Sequence, residues 1–274
     1  MCRDEGSSIP FQRVLVKRIS MDAAGYVENL LDNLYGRTLS ANAEKEFAQG
    51  DGGELGGKMR ALHSSSALVY NFFDFWRQTD PSAIVDAMGF ESGAYSMSFE
   101  RKLEKPPGIS GNRANIDVFL QDQITGRSIA IEAKFTEPCH RHTKLELKPA
   151  YVRVPGLWDG CPGCAQLASD LVVNQSGFSY LDASQLLKHI VGLKTFLRGA
   201  PFVLVFLWYR FPGIEVDTVE SEVSEFKRRI GNEVDFKSLT YQELFQNLSG
   251  EGLKHRDWLE YMSNRYFLRS KQLP

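Results

Sequence analysis

An almost unbroken apolar run, residues 201–211, limits the folds that this chain can adopt. The run reads PFVLVFLWYRF, and Arg210 carries its only charge. Such a segment is typical of a strand that is buried on both faces of a sheet. Residues 181–197 before it repeat leucine and isoleucine at helical spacing and predict a helix capped by Asp182 or Ser184. Because a helix between two strands of one sheet makes a crossover, we expect the strands on either side of it to be parallel.

Three shorter segments upstream predict the rest of the sheet, namely residues 95–103, 115–121 and 128–135. Their apolar residues tend to alternate with polar ones, which is the period of a strand. A turn at Thr125 and Gly126 separates the last two segments, so we predict an antiparallel hairpin there. The sequence thus predicts an α/β fold in which a central mixed β-sheet is flanked by helices.

Helical periodicity continues outside the sheet. We expect helices at residues 22–39, 58–77, 81–88, 218–230, 240–248 and 255–268. The serines at 64–66 should weaken the second of these helices locally. The chain then divides into a helical N-terminal extension, a core and a helical C-terminal region packed on that core. We place these segments at residues 1–50, 51–212 and 213–274, with a loop-rich insert at 138–177 inside the core.

Composition narrows the class of protein. The 274 residues carry a net charge of −2, with 43% hydrophobic and 24% charged residues, as in an ordinary folded domain. No apolar run approaches the length of a bilayer-spanning helix and no signal-peptide pattern is present, so we expect a cytoplasmic protein without a membrane partner. The overall charge does not indicate nucleic-acid binding, but residues 134–153 contain five basic residues and only two acidic ones. That stretch is consistent either with a surface that binds phosphates or with a solvated loop of mixed charge.

The strongest candidates for a catalytic site are three charged residues of the second and third predicted strands, namely Asp117, Glu132 and Lys134. Side chains two apart on a strand share a face, so Glu132 and Lys134 emerge together, and a hairpin partner can bring Asp117 beside them. Two carboxylates at one point suit Mg²⁺, and a neighbouring lysine can orient a water and offset developing charge. The same pattern also occurs by chance, and it then amounts to a cross-strand Glu–Lys pair worth about 0.2–1 kcal/mol.

The order helix–strand–strand–strand–helix–strand, with Asp117 and the tripeptide Glu132-Ala133-Lys134, resembles the PD-(D/E)XK nuclease superfamily, also called the restriction-endonuclease-like fold. The resemblance covers residues 52–211. It implies that Asp117 and Glu132 bind Mg²⁺, for which Mn²⁺ can substitute, and that the backbone carbonyl of Ala133 joins them. It also implies that Lys134 serves the attacking water.

Further site positions follow from the same resemblance. Glu54, before the sheet, and Glu100, in the first strand, match glutamates that some members place near the metal. Gln185 on the crossover helix matches a glutamine or lysine that related nucleases direct toward the site. Each of the three can instead be an ordinary side chain that faces water. The proline that the family carries before its aspartate is replaced here by Ile116, at a position that varies among such nucleases.

A CPGC tetrapeptide in the insert runs from Cys161 to Cys164, with Cys139 and His142 upstream. Three thiolates and one imidazole would complete a tetrahedral site, so these four residues are candidate ligands of a structural Zn²⁺. Two alternatives stay open, a redox pair and a loop whose cysteines bind nothing. An iron–sulfur cluster, as in some nucleases of the family resembled, would need the distant Cys2 as a fourth ligand.

These features predict a Mg²⁺-dependent nuclease that hydrolyses phosphodiester bonds of DNA in restriction, defence or repair. RNA stays open as a substrate, and a homodimer as an arrangement, because many enzymes of this fold cut both strands as C2 dimers. Two other hypotheses compete with this one. A nucleic-acid-binding or protein-interaction module could keep the fold without catalysis. Another α/β family could carry the pattern by accident, with Asp117 and Glu132 far apart.

Overall fold

The structure of the protein is a computed structural model, and it describes residues 21–50, 53–142, 145–211, 215–250 and 255–267. The chain divides into two compact units. One unit consists of Tyr95–Leu239, and the other joins Met1–Ala94 to Thr240–Pro274. These limits differ from the segment limits at 50 and 212 that the sequence suggests, because the N-terminal and C-terminal parts of the chain share one unit.

A five-stranded mixed sheet, with the order β1-β2-β3-β4-β5, organises the unit formed by Tyr95–Leu239. Its strands are β1 (Tyr95–Lys102), β2 (Asn115–Asp122), β3 (Ser128–Lys134), β4 (Phe202–Trp208) and β5 (Asp235–Thr240). Strands β1, β2 and β3 are antiparallel neighbours, whereas β3 and β4 run parallel, which confirms the predicted hairpin and crossover. The sequence did not predict β5, because this short strand, DFKSLT, has few apolar residues to mark it.

Apolar side chains of β3 and β4 form the centre of the sheet. Ile129, Ile131, Val203 and Val205 are fully buried, as the apolar runs predicted. Burying one such side chain stabilises a fold by about 1.5–3 kcal/mol. Glu132 lies on β3 among these residues with only 1% of its surface exposed. A carboxylate therefore occupies a place where the sheet is otherwise apolar, and such a group needs a compensating partner.

Helices flank the sheet and build the second unit. In chain order the α-helices of the described residues are α1 (Ala41–Gln49), α2 (Ser65–Thr79), α3 (Pro81–Ala87), α4 (Ala150–Arg153), α5 (Pro162–Val172), α6 (Ala183–Leu197), α7 (Val216–Ile230), α8 (Tyr241–Leu248) and α9 (Arg256–Arg265). Short 3-10 turns occur at Leu30–Asn33, Tyr35–Arg37, Lys58–Arg60 and Glu137–Cys139. Within the described ranges, none of the helices combines the length and apolar content that crossing a bilayer requires.

The crossover helix α6 packs closely on the residues of the sheet region. Asp182 begins this helix by accepting a hydrogen bond from the N–H of Gln185 at 2.9 Å, as its sequence predicted. Gly192 comes so near to Leu103 that a Cβ at this position would lie 2.8 Å from Leu103 Cδ1. Only glycine permits that approach without displacing the leucine. The helix ends at Arg198, whose backbone is left-handed with a φ of 50°.

The insert at residues 138–177 is more helical than its sequence suggests. It contains α4 and α5, and α5 packs against both α6 and α7. Leu167 and Leu171 of α5 share one buried core with Phe226 of α7. Pro162 occupies the first turn of α5, where its fixed φ suits a helix start. The prediction of a loop-rich insert is therefore wrong for about its second half.

In the other unit, the helix predicted over residues 22–39 is wrong. Asn29 caps only a 3-10 turn with its side chain. The Asn33 side chain is buried and donates to the carbonyls of Met59 and Ala61 at 2.6 and 2.9 Å. Asparagine side chains that bond to backbone in this way compete with a continuous helix. Apolar periodicity alone could not reveal that competition.

The next helix, α2, begins later than predicted, at Ser65. Ser64 Oγ accepts a hydrogen bond from the N–H of Ala67 at 3.2 Å, so the serine run starts the helix and does not weaken it. The aromatic side of α2 packs on α9, where the rings of Trp76 and Trp258 have centroids 5.2 Å apart. Helices α3, α7, α8 and α9 confirm the other predicted helices, with nearly the expected limits.

Candidate active site

The strand pairing brings Asp117 of β2 close to Glu132 of β3. Val118 pairs with Ile131, and Asp117 and Glu132 are the next residues along β2 and β3 beyond that pair. The charge of Glu132 acts on Asp117, as expected for two neighbouring carboxylates. Asp117 Oδ2 accepts a hydrogen bond from the N–H of Ala133 at 2.7 Å, which ties the carboxylate to β3. The structure therefore brings together the two carboxylates that the sequence singled out.

The Glu132 carboxylate is the most unusual group of this site. Lys134 Nζ lies 2.6 Å from Glu132 Oε1, and His189 Nε2 lies 3.5 Å from Oε2. Lys134 therefore pairs with Oε1, and among the described residues neither buried carboxylate oxygen accepts a hydrogen bond from any other donor. A buried, incompletely satisfied carboxylate is costly for folding, and such cost is typical of a functional site.

Electrostatics at the site are dominated by negative charge. Burial, and then the charges of Glu132 and Glu100, raise the pKa of Asp117 well above its usual value. For Lys134, burial acts to lower the pKa, but Glu132, Glu137 and Asp117 together raise it above its ordinary value. Lys134 is therefore a stable ammonium group. The crowded carboxylates would repel each other less if a further cation joined them.

Glu100, on β1, lies between Phe99 and Arg101, whose partners Val118 and Ile116 flank Asp117 on β2. Its φ of 48° is left-handed, an unfavourable backbone conformation for a residue with a side chain. Asn115 Nδ2 donates to Glu100 Oε2 at 3.4 Å. Glu100 is near enough for its charge to raise the pKa of Asp117. The three carboxylates of Glu100, Asp117 and Glu132 thus come from the adjacent strands β1, β2 and β3. Backbone strain of this kind clusters at functional sites.

Gln185 reaches the site from the crossover helix α6. Lys134 Nζ donates a hydrogen bond to Gln185 Oε1 at 2.9 Å, so the amide orients the ammonium group. Asp182 fixes the start of the helix through the N–H of Gln185. These two hydrogen bonds link the cap residue of α6 to Gln185 and Gln185 to the ammonium group of Lys134.

We expect Gln185→Ala to slow DNA cleavage about tenfold, because a hydrogen bond to a charged group is worth about 1.5 kcal/mol. The thermal unfolding midpoint should change little, since Lys134 keeps its pairing with Glu132. Gln166→Ala, an exposed glutamine on α5, is the matched control. Initial rates on a supercoiled plasmid would measure the effect, and equal rates for the two variants would contradict an orienting role for Gln185.

From the sequence, His189 on the crossover helix reads as an ordinary buried histidine, and no role at the site is predicted for it. The ring is 1% exposed, and its Nδ1 has no hydrogen-bond partner in the part of the chain that the structure describes. Burial lowers the pKa of His189, although Glu132 opposes this, so the imidazole is neutral near pH 7. His189 lies one helical turn after Gln185, and this spacing of four was the available signal that both face the same strand.

A cavity of about 90 Å³ opens beside these residues. Glu132, Lys134 and Gln185 line it together with residues that sequence reasoning did not connect to the site, namely Glu137, His142 and Tyr180. Glu137 Oε2 accepts a hydrogen bond from the N–H of Phe135, which holds its carboxylate near Lys134. The charged residues of β3 therefore line one part of the cavity, and residues of the insert and of α6 line other parts of it.

The donor set fits a hard cation. Asp117 and Glu132 offer carboxylate oxygens, and those of Glu132 are buried with no hydrogen-bond donor other than Lys134 among the described residues. Among the described residues, no three His, Cys, Asp or Glu side chains are grouped so as to hold a metal. Two carboxylates still fit Mg²⁺, which usually keeps several waters and shares its shell with substrate phosphates.

Glu54 belongs to the other compact unit. There it accepts a hydrogen bond from Ser66 Oγ at 2.7 Å and pairs with Lys58 at 3.3 Å. These contacts account for its 8% exposure without any metal. Its role at the site stays a prediction.

The predicted zinc site is not assembled within the described residues. Cys161 and Cys164 are buried in the apolar core at the start of α5. His142 instead contacts the carbonyl of Tyr180, with Nε2 at 3.2 Å. Cys139 ends a 3-10 turn, and no group of three potential ligands forms around any of these side chains. The zinc site therefore stays a prediction.

Comparison with known families decides the class of the protein. Residues 3–267 match the model of a family described as restriction endonuclease associating with ARP. The chain belongs to this family. It thereby confirms the resemblance to restriction-endonuclease-like proteins, and the mixed sheet flanked by helices confirms the corresponding fold. Searches of curated proteins and of solved structures gave no match to the chain.

Proposed function

We propose that the protein hydrolyses phosphodiester bonds of DNA and that the reaction requires Mg²⁺, for which Mn²⁺ can substitute. Membership of a restriction-endonuclease family supports a nuclease. The observation that carries the finer proposal is the buried Glu132 carboxylate, which pairs with Lys134, has no other hydrogen-bond donor among the described residues and lies close to Asp117. A protein that only bound DNA would have no need of that costly arrangement.

Asp117, Glu132 and the carbonyl of Ala133 are the groups that would hold the cation. When bound, Mg²⁺ lowers the pKa of a water and stabilises negative charge on the phosphate. Lys134 donates hydrogen bonds from its ammonium group to the attacking water or to a phosphate oxygen. Gln185 keeps that ammonium group directed at the site. Water adds to phosphorus, the bond to the leaving oxygen breaks, and the leaving oxygen takes up a proton.

The biological setting is also part of the proposal. The description of the family names association with ARP, which supports a protein partner for this chain. Restriction, defence or repair are the settings that suit such an endonuclease. Cleavage of both strands would suit a homodimer, and RNA is the alternative substrate.

The test is cleavage of supercoiled and linear DNA, and of RNA, by the purified chain with Mg²⁺ or Mn²⁺ and with EDTA. Glu132→Gln should abolish cleavage and weaken Mn²⁺ binding, measured separately by electron paramagnetic resonance. Glu104→Gln, an exposed glutamate after β1, is the matched control. Mn²⁺ binding that is equal in both variants would contradict the metal site. Folded wild type without cleavage of any nucleic acid would favour a binding module.

A further inference from the structure

The CPGC tetrapeptide lies outside the site described above and begins helix α5. Cys161 is the N-cap residue of this helix, and Cys164 lies in its first turn. Both are free thiols, with 3% and 0% of their surfaces exposed. Residues three apart in a first turn are neighbours in space. The charge of Cys161 also acts on Cys164, which is consistent with two adjacent sulfur atoms.

A cation lies against one of these thiols. Lys194 Nζ, from α6, is 3.0 Å from Cys161 Sγ and also donates to the carbonyl of Asp159 at 3.0 Å. An ammonium group at this distance stabilises a thiolate, which is the reactive form of cysteine. Cys164 is different, because burial and then Cys161 and Glu233 raise the pKa of its thiol. The two sulfur atoms therefore differ, because Lys194 contacts Cys161 whereas burial and Glu233 disfavour the thiolate of Cys164.

The loop between the two cysteines is held in place by Glu233. Its carboxylate accepts hydrogen bonds from the N–H groups of Gly163 and Cys164 at 2.6 and 3.0 Å. A Cβ at Gly163 would lie 2.2 Å from the carbonyl oxygen of Arg229, so only glycine fits here. These contacts fix the backbone that joins the two thiols.

A cavity of about 260 Å³ lies beside this cluster. Lys194 and Glu233 both line it, together with Phe202 at the start of β4. The groups that contact Cys161 and Cys164 are thus themselves on the cavity wall. Cys161 and Cys164 are buried and do not line the cavity themselves, so a reagent in the cavity would reach Cys161 only after a local movement.

We propose that Cys161 and Cys164 form a reversible dithiol–disulfide site that exchanges with a small disulfide such as glutathione disulfide. The Cys161 thiolate attacks one sulfur of the oxidant, and one glutathione leaves as its thiolate. Cys164 then loses its proton to that thiolate and attacks the Cys161 sulfur, which releases the second glutathione. The protein dithiol loses two electrons, and the oxidant is reduced to two thiols. This inference does not depend on the nuclease proposal.

The experiment exposes the reduced, full-length protein to glutathione disulfide, quenches it with acid, blocks free thiols and maps the peptides by mass spectrometry. The wild type should yield a Cys161–Cys164 disulfide without bound glutathione. Cys164→Ser should retain one glutathione on Cys161, whereas Cys161→Ser should leave Cys164 unmodified. Lys194→Met should slow the reaction about tenfold. Lys227→Met, an exposed lysine on α7, is the matched control and should react at the wild-type rate.

Wild-type protein provides the decisive result without any variant. Disulfide formation at a rate independent of urea below the unfolding transition supports the proposal, because a local movement then suffices. Formation only within the unfolding transition would overturn it. Stable glutathione on Cys161 of the wild type, with Cys164 free, would also overturn it.

Discussion

Lys134→Met is expected to reduce metal-dependent DNA cleavage by about 10²-fold or more, within the range of a positioned proton-transfer or charge-stabilising group. The physical reason is the position of Nζ, between Glu132 Oε1 at 2.6 Å and Gln185 Oε1 at 2.9 Å. Methionine has a similar length and fills the same space without charge. The variant therefore removes the ammonium group and leaves the packing of β3 largely unchanged. Single-turnover cleavage of a labelled duplex measures the chemical step directly.

Lys148→Met is the matched control for this variant. Lys148 is exposed, and its Nζ donates to the carbonyl of Ser110 at 3.2 Å. If Lys134 acts on the chemical step, its variant should lose cleavage while it keeps its affinity for DNA in the presence of Ca²⁺. Equal losses of affinity in the two variants would mean that Lys134 contributes general attraction to phosphates. Cleavage at the wild-type rate by Lys134→Met would show that the centre lies elsewhere.

The sheet could be predicted from the sequence because the residue patterns that mark its strands lie within short segments of the chain. Residues 201–211 are apolar throughout, and this predicts a strand buried on both faces in any fold. The spacing of Glu132 and Lys134 places them on one face of a strand without further assumptions. A short hairpin then restricts the partner strand, so the approach of Asp117 followed as well.

The remainder of the site depends on contacts that no local pattern encodes. His189 reaches Glu132 because of where α6 packs along the sheet and how the helix is rotated about its axis. The apolar periodicity of α6 does not specify that position or that rotation. The surroundings of the candidate zinc ligands show the same dependence, since Cys161 starts a helix that buries it against Lys194. The predicted helix at residues 22–39 failed because Asn33 bonds to a segment far along the chain.

Glu222 is the clearest case of a residue whose importance the sequence conceals. It lies on α7 between Glu220 and Glu225, and all three read as acids on a solvated helix. In the structure Glu222 is buried, and its carboxylate accepts three backbone hydrogen bonds at 2.8–2.9 Å from the chain just before α6. The donors are the N–H groups of Ser179, Tyr180 and Leu181. This chain leads into Asp182, the cap of the helix that carries Gln185.

Glu222→Ala is therefore expected to lower the free energy of unfolding by about 3 kcal/mol, because three N–H groups lose their acceptor and each unsatisfied donor costs about 1 kcal/mol or more. A fall of this size should lower the midpoint of thermal unfolding by about 6–12 °C. Glu222→Gln should recover only part of the loss, since its amide has one oxygen and presents N–H groups to other N–H groups. Urea denaturation followed by circular dichroism measures the change.

Glu225→Ala on the same helix is the control, because its carboxylate pairs with Arg228 at the surface, where water screens such a pair and its loss changes stability little. The loss in Glu222→Ala should also reach the site. At a temperature where the variant is still folded, cleavage should fall further than in Gln185→Ala, since Tyr180 and Gln185 both line the cavity beside Glu132. A variant that is destabilised but cleaves at the wild-type rate would show that the loop before α6 does not position the site.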